Sequence, residues 1–117
     1  MSVSMKNIVV FVTDLAKARH FYADILGLPV AGQSDMIIEF FPGAATTLGI
    51  SLALHEDARR LVGRHTGLTL KVSDIETLCE KLEAANADFI EPLESSPWGR
   101  MAVVSDPDGN QFALVDR

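Results

Sequence analysis

At 117 residues, with 48% hydrophobic and 22% charged residues, the chain has the composition of one globular domain with a core of its own. Its net charge of −6 excludes a general nucleic-acid surface, which needs clustered Lys and Arg, and offers an anionic membrane nothing to hold. The single cysteine, Cys79, cannot close an intramolecular disulfide, and the apolar run at 8–12 is too short for a signal core or a membrane span, so a cytoplasmic setting is expected.

In chain order, residues 7–12 alternate as a strand and end at Thr13, a hydroxyl suited to cap a helix. Leu15, Ala18, Phe21, Tyr22, Ile25 and Leu26 then form one helical stripe, stopped by Gly27. Strands are expected at 28–31, 35–41 and 47–55, punctuated by Gly32 and by Pro42 with Gly43. The stretch 56–64 is polar and reads as a connector with some helical character.

The pattern then repeats at an offset of sixty residues. Val12 and Asp14 recur identically as Val72 and Asp74, while Ile8, Val10, Thr13 and Leu15 recur as Leu68, Leu70, Ser73 and Ile75. Ser73 with Glu76 matches a capping box, and Ile75, Leu78, Leu82 and Ala85 make the second helical stripe, ending at Asn86. Strands follow at 88–91, 100–105 and 111–115, marked off by Pro92, Pro97 and Pro107. The organisation expected is therefore one α+β domain over 1–117, with a first βαβββ module at 5–55, a connector at 56–65 and a second module at 66–117.

Strand parity sorts the side chains. If Ile8, Val10 and Val12 face the helix, then Asn7, Val9 and Phe11 face the other way, and Gly67, Thr69 and Lys71 do so in the second half. Lys71 is costly to bury unpaired, so it either anchors an anionic group of a ligand or reaches out to solvent or Glu39. Trp98 and Arg100 flank Gly99, an aromatic plane beside a guanidinium; they suit ligand stacking, or else shield a sheet end or a subunit interface. Cys79, between Leu78 and Leu82, reads as a packed thiol, and no nucleophile elbow or phosphate-cradling glycine loop is present.

Several motifs in order resemble the vicinal oxygen chelate superfamily, which includes glyoxalase I, extradiol dioxygenases, fosfomycin-resistance enzymes and bleomycin-binding proteins. They are Val12-Thr13-Asp14-Leu15, Phe21-Tyr22 with Leu26-Gly27-Leu28, Pro97-Trp98-Gly99-Arg100, and the turn Asp106-Pro107-Asp108-Gly109-Asn110. The resemblance implies that the two modules pair their sheets into a curved, half-open barrel with a central cleft, and that subunits pair as homodimers. It also implies a divalent metal held by His, Gln or Glu from three or four strands. Carried onto this chain, those positions are Asn7, Gly67, Ala113 and, by the repeat, Ala53 or Leu52. Gly, Ala and Leu have no donor atom and Asn offers one carbonyl oxygen, so no metal site and no cofactor are expected, with a divalent metal as the alternative. A substitute donor set would be His55, His65 and Glu39, although these have no spacing signature and His20 lies on the first helix.

The function expected is binding of a small organic molecule, with Asn7, Phe11, Lys71, Trp98 and Arg100 as the ligand-binding residues. Two enzymes compete with it: a metal-dependent glyoxalase-type lyase or dioxygenase with non-standard ligands, and a cofactor-free enzyme using Lys71 as acid or base. The partners expected are that ligand and a second copy of the chain.

Overall fold

Alternating β-branched and aromatic residues favour strands, and a carboxylate just before each long apolar helical stripe favours a helix start; the fold follows both signals. A computed structural model describes residues 1–117, which divide into two compact units, Met1–Val62 and Gly63–Arg117. No helix is long and apolar enough to cross a membrane.

In the first unit β1 (Asn7–Val12) leads into α1 (Leu15–Arg19), followed by β2 (Val30–Gln33), β3 (Ile37–Phe40), β4 (Thr47–Leu52) and the short α2 (Glu56–Arg59). The four strands form one mixed sheet in the order β1-β4-β3-β2, with β1 and β4 parallel and the other pairs antiparallel. In the second unit β5 (His65–Lys71), α3 (Ile75–Ala84), β6 (Asp88–Ser96), β7 (Gly99–Ser105) and β8 (Gln111–Val115) give the same order, β5-β8-β7-β6, with β5 and β8 parallel. The molecule is α+β, built from two units of matching topology, each an open four-stranded sheet.

One face of each sheet is buried. In the first, Val10, Val12, Ile38, Phe40, Leu48 and Ile50 pack with Ala18, Phe21, Tyr22 and Leu26 of the helical segment. Tyr22 is fully buried, edge-on to Phe21 at 5.1 Å between ring centroids and 6.2 Å from Phe40. In the second, Leu68, Leu70, Ala102, Val104, Phe112 and Leu114 pack with Ile75, Cys79 and Leu82.

Several local expectations need correction. The helices are capped one residue later than the hydroxyls predict: Asp14 and Asp74 are the N-caps, their carboxylates accepting from Lys17 N at 3.0 Å and Thr77 N at 3.3 Å. A carboxylate adjoining the first helical residue reaches the third amide and also favours the positive helix end. The first helix does not stay α-helical to Gly27. His20–Ile25 is a π-helical segment, with Leu26 N donating to Phe21 O at 2.9 Å, which brings Phe21 and Tyr22 into the core side by side. On α3 the buried stripe is Ile75, Cys79 and Leu82, and Ala85 is exposed because the helix ends at Ala84. Asn86, at φ 59, makes the left-handed turn out of it.

Strand β6 runs on past Pro92 to Ser96 and closes a hairpin with β7, where a break was expected. Pro92 is tolerated because β6 is the sheet edge and its pairing is irregular between Glu91 and Glu94. The connector holds one short helix, and His65 already belongs to β5.

Candidate functional site

The sheet faces opposite the helices carry several of the side chains that the sequence singles out. In the first unit that face carries Asn7, Val9 and Phe11 of β1, Thr47, Gly49 and Ser51 of β4, and Ile37 and Glu39 of β3. The pairings Asn7–Thr47, Val9–Gly49, Phe11–Ser51, Ile37–Ser51 and Glu39–Gly49 set them side by side. Asn7 and Phe11 are half-buried and Glu39 is exposed. A Cβ at Gly49 would stand 3.1 Å from Ile37 Cδ1 and 3.6 Å from Val9 Cγ2, so these two side chains cover the middle of this face and Ile37 must give way to a larger residue there.

In the second unit the corresponding face carries Thr69 and Lys71 of β5, Gln111, Ala113 and Val115 of β8, and Met101 and Val103 of β7. Val103, Ala113, Val115 and Met101 form a half-exposed apolar floor, with Lys71 exposed at one side and Glu91 and Glu94 of β6 exposed at the other. Arg100 is not on this face. It shares parity with buried Ala102 and Val104, and its Nη1 pairs with Glu76 Oε1 of α3 at 2.8 Å. Trp98 stands 79% exposed at the tip of the β6–β7 hairpin, its backbone N–H donating to Ser96 Oγ at 3.1 Å. The structure thus brings Asn7 and Phe11 onto one face and puts Lys71 on the equivalent face of the other unit. Trp98 and Arg100 stand apart from these.

The positions where the superfamily places metal ligands can be tested on their donor atoms. Asn7 opens β1, and Ala113 lies in the middle of β8 beside Thr69. The structural counterpart of Ala113 is Gly49, third residue of β4 and partner of Val9, not Ala53, which follows the strand. The sixty-residue offset relates β1 to β5 but fails at the last strands because the connections before them differ in length.

Gly67 departs further. It sits at φ 77 in an irregular stretch of β5 between His65 and Thr69. Gly67 N donates to His65 Nδ1 at 3.1 Å, Thr66 Oγ1 donates to Gln111 O at 2.8 Å, and Leu68 N donates to Thr66 Oγ1 at 3.1 Å. This bulge breaks the parity that would align His65 with Gly67. One amide oxygen and three residues without donors do not fit a divalent cation.

The substitute donors do not assemble either. No group of three His, Cys, Asp or Glu side chains gathers where it would hold an ion. His55 is exposed at the start of α2, and His20 Nδ1 lies 3.1 Å from Asp24 Oδ2 on the surface. Burial pushes the Cys79 thiol above its ordinary 9.0, the Glu83 carboxylate adds to this, and Arg100 offsets part of it, which disfavours the nucleophilic thiolate.

Two turn residues that flagged the fold do structural service. Asp106 is buried, with Oδ1 accepting from Asp108 N and Asn110 N at 2.9 Å each and Oδ2 accepting from Asn110 Nδ2 at 2.8 Å. Asn110 Oδ1 in turn accepts from Gly63 N at 2.7 Å.

Matching topology, helix-free sheet faces and the ordered motifs all fit one family, and the chain belongs to it. Residues 4–114 match the Glyoxalase/Bleomycin resistance protein/Dioxygenase superfamily. Among solved structures, a member of that superfamily from Sphaerobacter thermophilus is 34% identical at a TM-score of 0.77, covering 97% of each chain. TnmS3, an antibiotic binding protein from Streptomyces sp. CB03234, is 27% identical at a TM-score of 0.74, covering 98% of this chain and 97% of its own. Among curated proteins, the metallothiol transferase FosB of Staphylococcus saprophyticus is 27% identical over 95% of this chain and 75% of its own length.

Residues that parity on the sequence did not single out are Gly49, Ile37, Met101, Val103, Glu91 and Glu94. Their signal lies in strand register, which depends on loop lengths and bulges that the sequence pattern does not display.

Proposed function

We propose that this chain binds a small organic molecule on the helix-free faces of its sheets, without a metal. The observation that carries the reading is the set Asn7, Gly49, Gly67 and Ala113 at the four family metal positions, where three residues have no donor atom. In the first unit Phe11 supplies half-exposed apolar surface on the face that carries the polar Asn7, and in the second unit Met101, Val103 and Val115 do so on the face that carries Thr69 and Lys71. Pockets that combine mostly apolar lining with a few polar anchors are the usual form of a small-molecule site. The antibiotic binding protein among its relatives supports the same class of activity. In this reading the protein is a cytoplasmic homodimer that acts by affinity, lowering the free concentration of its ligand.

The competing reading is a glyoxalase-type lyase or dioxygenase with ligands from non-standard positions. Metal analysis of protein purified without chelator separates the two. The expected result is no stoichiometric Ni, Zn, Fe or Mn, together with retention of an organic compound from a panel of drugs, aromatic acids and thiol conjugates in equilibrium dialysis. Phe11→Ala and Lys71→Met are expected to weaken that retention. One bound metal per chain, lost on substituting His65 or Glu39, overturns the reading.

A further inference from the structure

Glu39 has an unusual setting. Both of its cross-strand neighbours are glycines, Gly49 on β4 and Gly32 on β2, so no directly paired side chain stands beside it. No atom lies within 4 Å of where a Cβ would stand at Gly32. The result is a hollow of about 250 Å³ lined by Gly32, Gln33, Ser34, Ile37 and Glu39. Glu39 is its one charged lining residue, is exposed, and takes part in none of the ion pairs of the chain.

One polar neighbour is set as a donor. The Gln33 side chain turns away from Glu39, since its cross-strand partner is the buried Ile38 and its Oε1 accepts from Arg19 Nη1 of α1 on the helix side. Ser34 Oγ accepts from Met36 N at 3.2 Å and Ile37 N at 3.3 Å, which leaves its hydroxyl hydrogen to donate. One carboxylate, one neutral donor and the apolar wall of Ile37 define complementary chemistry: a cation beside a hydrogen-bond acceptor, on a short carbon frame. A volume below that of typical drug-sized pockets admits one substituent group, not a whole drug.

We propose that this hollow is a subsite for a protonated amino group with a hydroxyl or carbonyl oxygen one or two carbons away, as in an amino sugar or amino alcohol. The ammonium pairs with Glu39, the oxygen accepts from Ser34, and the carbon frame lies on Ile37. The assignment rests on the small-molecule reading above and names the chemistry of one part of the ligand.

The test is titration of isotopically labelled protein with D-glucosamine, followed by amide chemical shifts, with N-acetylglucosamine and glucose as uncharged controls. A fragment this small binds with a Kd of about millimolar order. The expected result is saturable shifts at Gly32, Ser34 and Glu39 with glucosamine alone, weakened at least about tenfold in Glu39→Gln and by added salt. Equal shifts with N-acetylglucosamine, unchanged affinity in Glu39→Gln, or no shift at these residues overturns the assignment. If a larger organic ligand binds wild type and Glu39→Gln alike, the subsite falls while the small-molecule reading stands.

Discussion

Asp106 accepts three hydrogen bonds with its carboxylate while 4% exposed, and its turn partner Asn110 is fully buried and holds Gly63 N. Replacing Asp106 with Ala leaves two backbone amides and a side-chain amide without their acceptor in a buried place. The expected loss is about 3 kcal/mol of unfolding free energy, since each orphaned buried group costs roughly 1–3 kcal/mol and part is recovered by relaxation. Urea unfolding measures it, and a loss below about 1 kcal/mol contradicts this account of the turn. Cys79 gives a second residue-scale prediction. Its thiol ionises near the ordinary 9.0 in the unfolded chain and higher in the folded one, so above that value the unfolded state holds fewer protons. Stability therefore falls as pH rises through and beyond that value, and Cys79→Ala flattens the fall. Urea midpoints at about pH 8 and about pH 10 in both proteins check the sign. The turn itself was legible as a motif in the sequence. The burial of Asp106 and Asn110 was not, because a polar run before a strand reads equally well as an exposed loop.

At the scale of elements, the two strand–helix repeats were visible in apolar periodicity alone, because period two followed by period 3.6 has few other solutions. What escaped was local backbone chemistry. The caps fell on Asp14 and Asp74, the first helix turned π-helical at His20, and β5 bulged around Gly67. Each is a local change of backbone, enough to change a site and too little to change a fold. Gly67 carries the sharpest consequence. Its φ of 77 lies in the left-handed region, which costs a residue with a Cβ about 1–2 kcal/mol. Gly67→His, the change that would return an imidazole to the family position, is therefore expected to destabilise the protein by about that amount in urea unfolding, without creating a metal site. Equal stability together with stoichiometric zinc uptake contradicts it.

The whole molecule joins two sequence-related units of one topology, each with a helix-covered core face and a partly exposed opposite face. Family membership follows from the entire chain, whereas activity depends on a few positions that differ among members sharing the fold. Counting along the strands gave Asn7, Gly67 and Ala113 as three of the superfamily's ligand positions. The fourth needed the register that set Gly49 beside Val9, since the repeat offset drifts where the last connections differ. Arg100 shows the same limit: beside Trp98 in sequence it resembles a ligand anchor, yet strand parity carries its guanidinium to Glu76.

The central claim is metal-free recognition of a small organic molecule, and one thermal-shift experiment tests it most directly. The protein is stripped with chelator and screened against drugs, amino sugars, aromatic acids and thiol conjugates, then against Zn, Ni, Mn and Fe alone and with each compound. Anything that binds only the folded state raises the melting point by mass action. The predicted result is a concentration-dependent rise with at least one organic compound in chelator, unchanged when metal is added. A rise produced by metal alone, or by organic compounds only in the presence of stoichiometric metal, would contradict it.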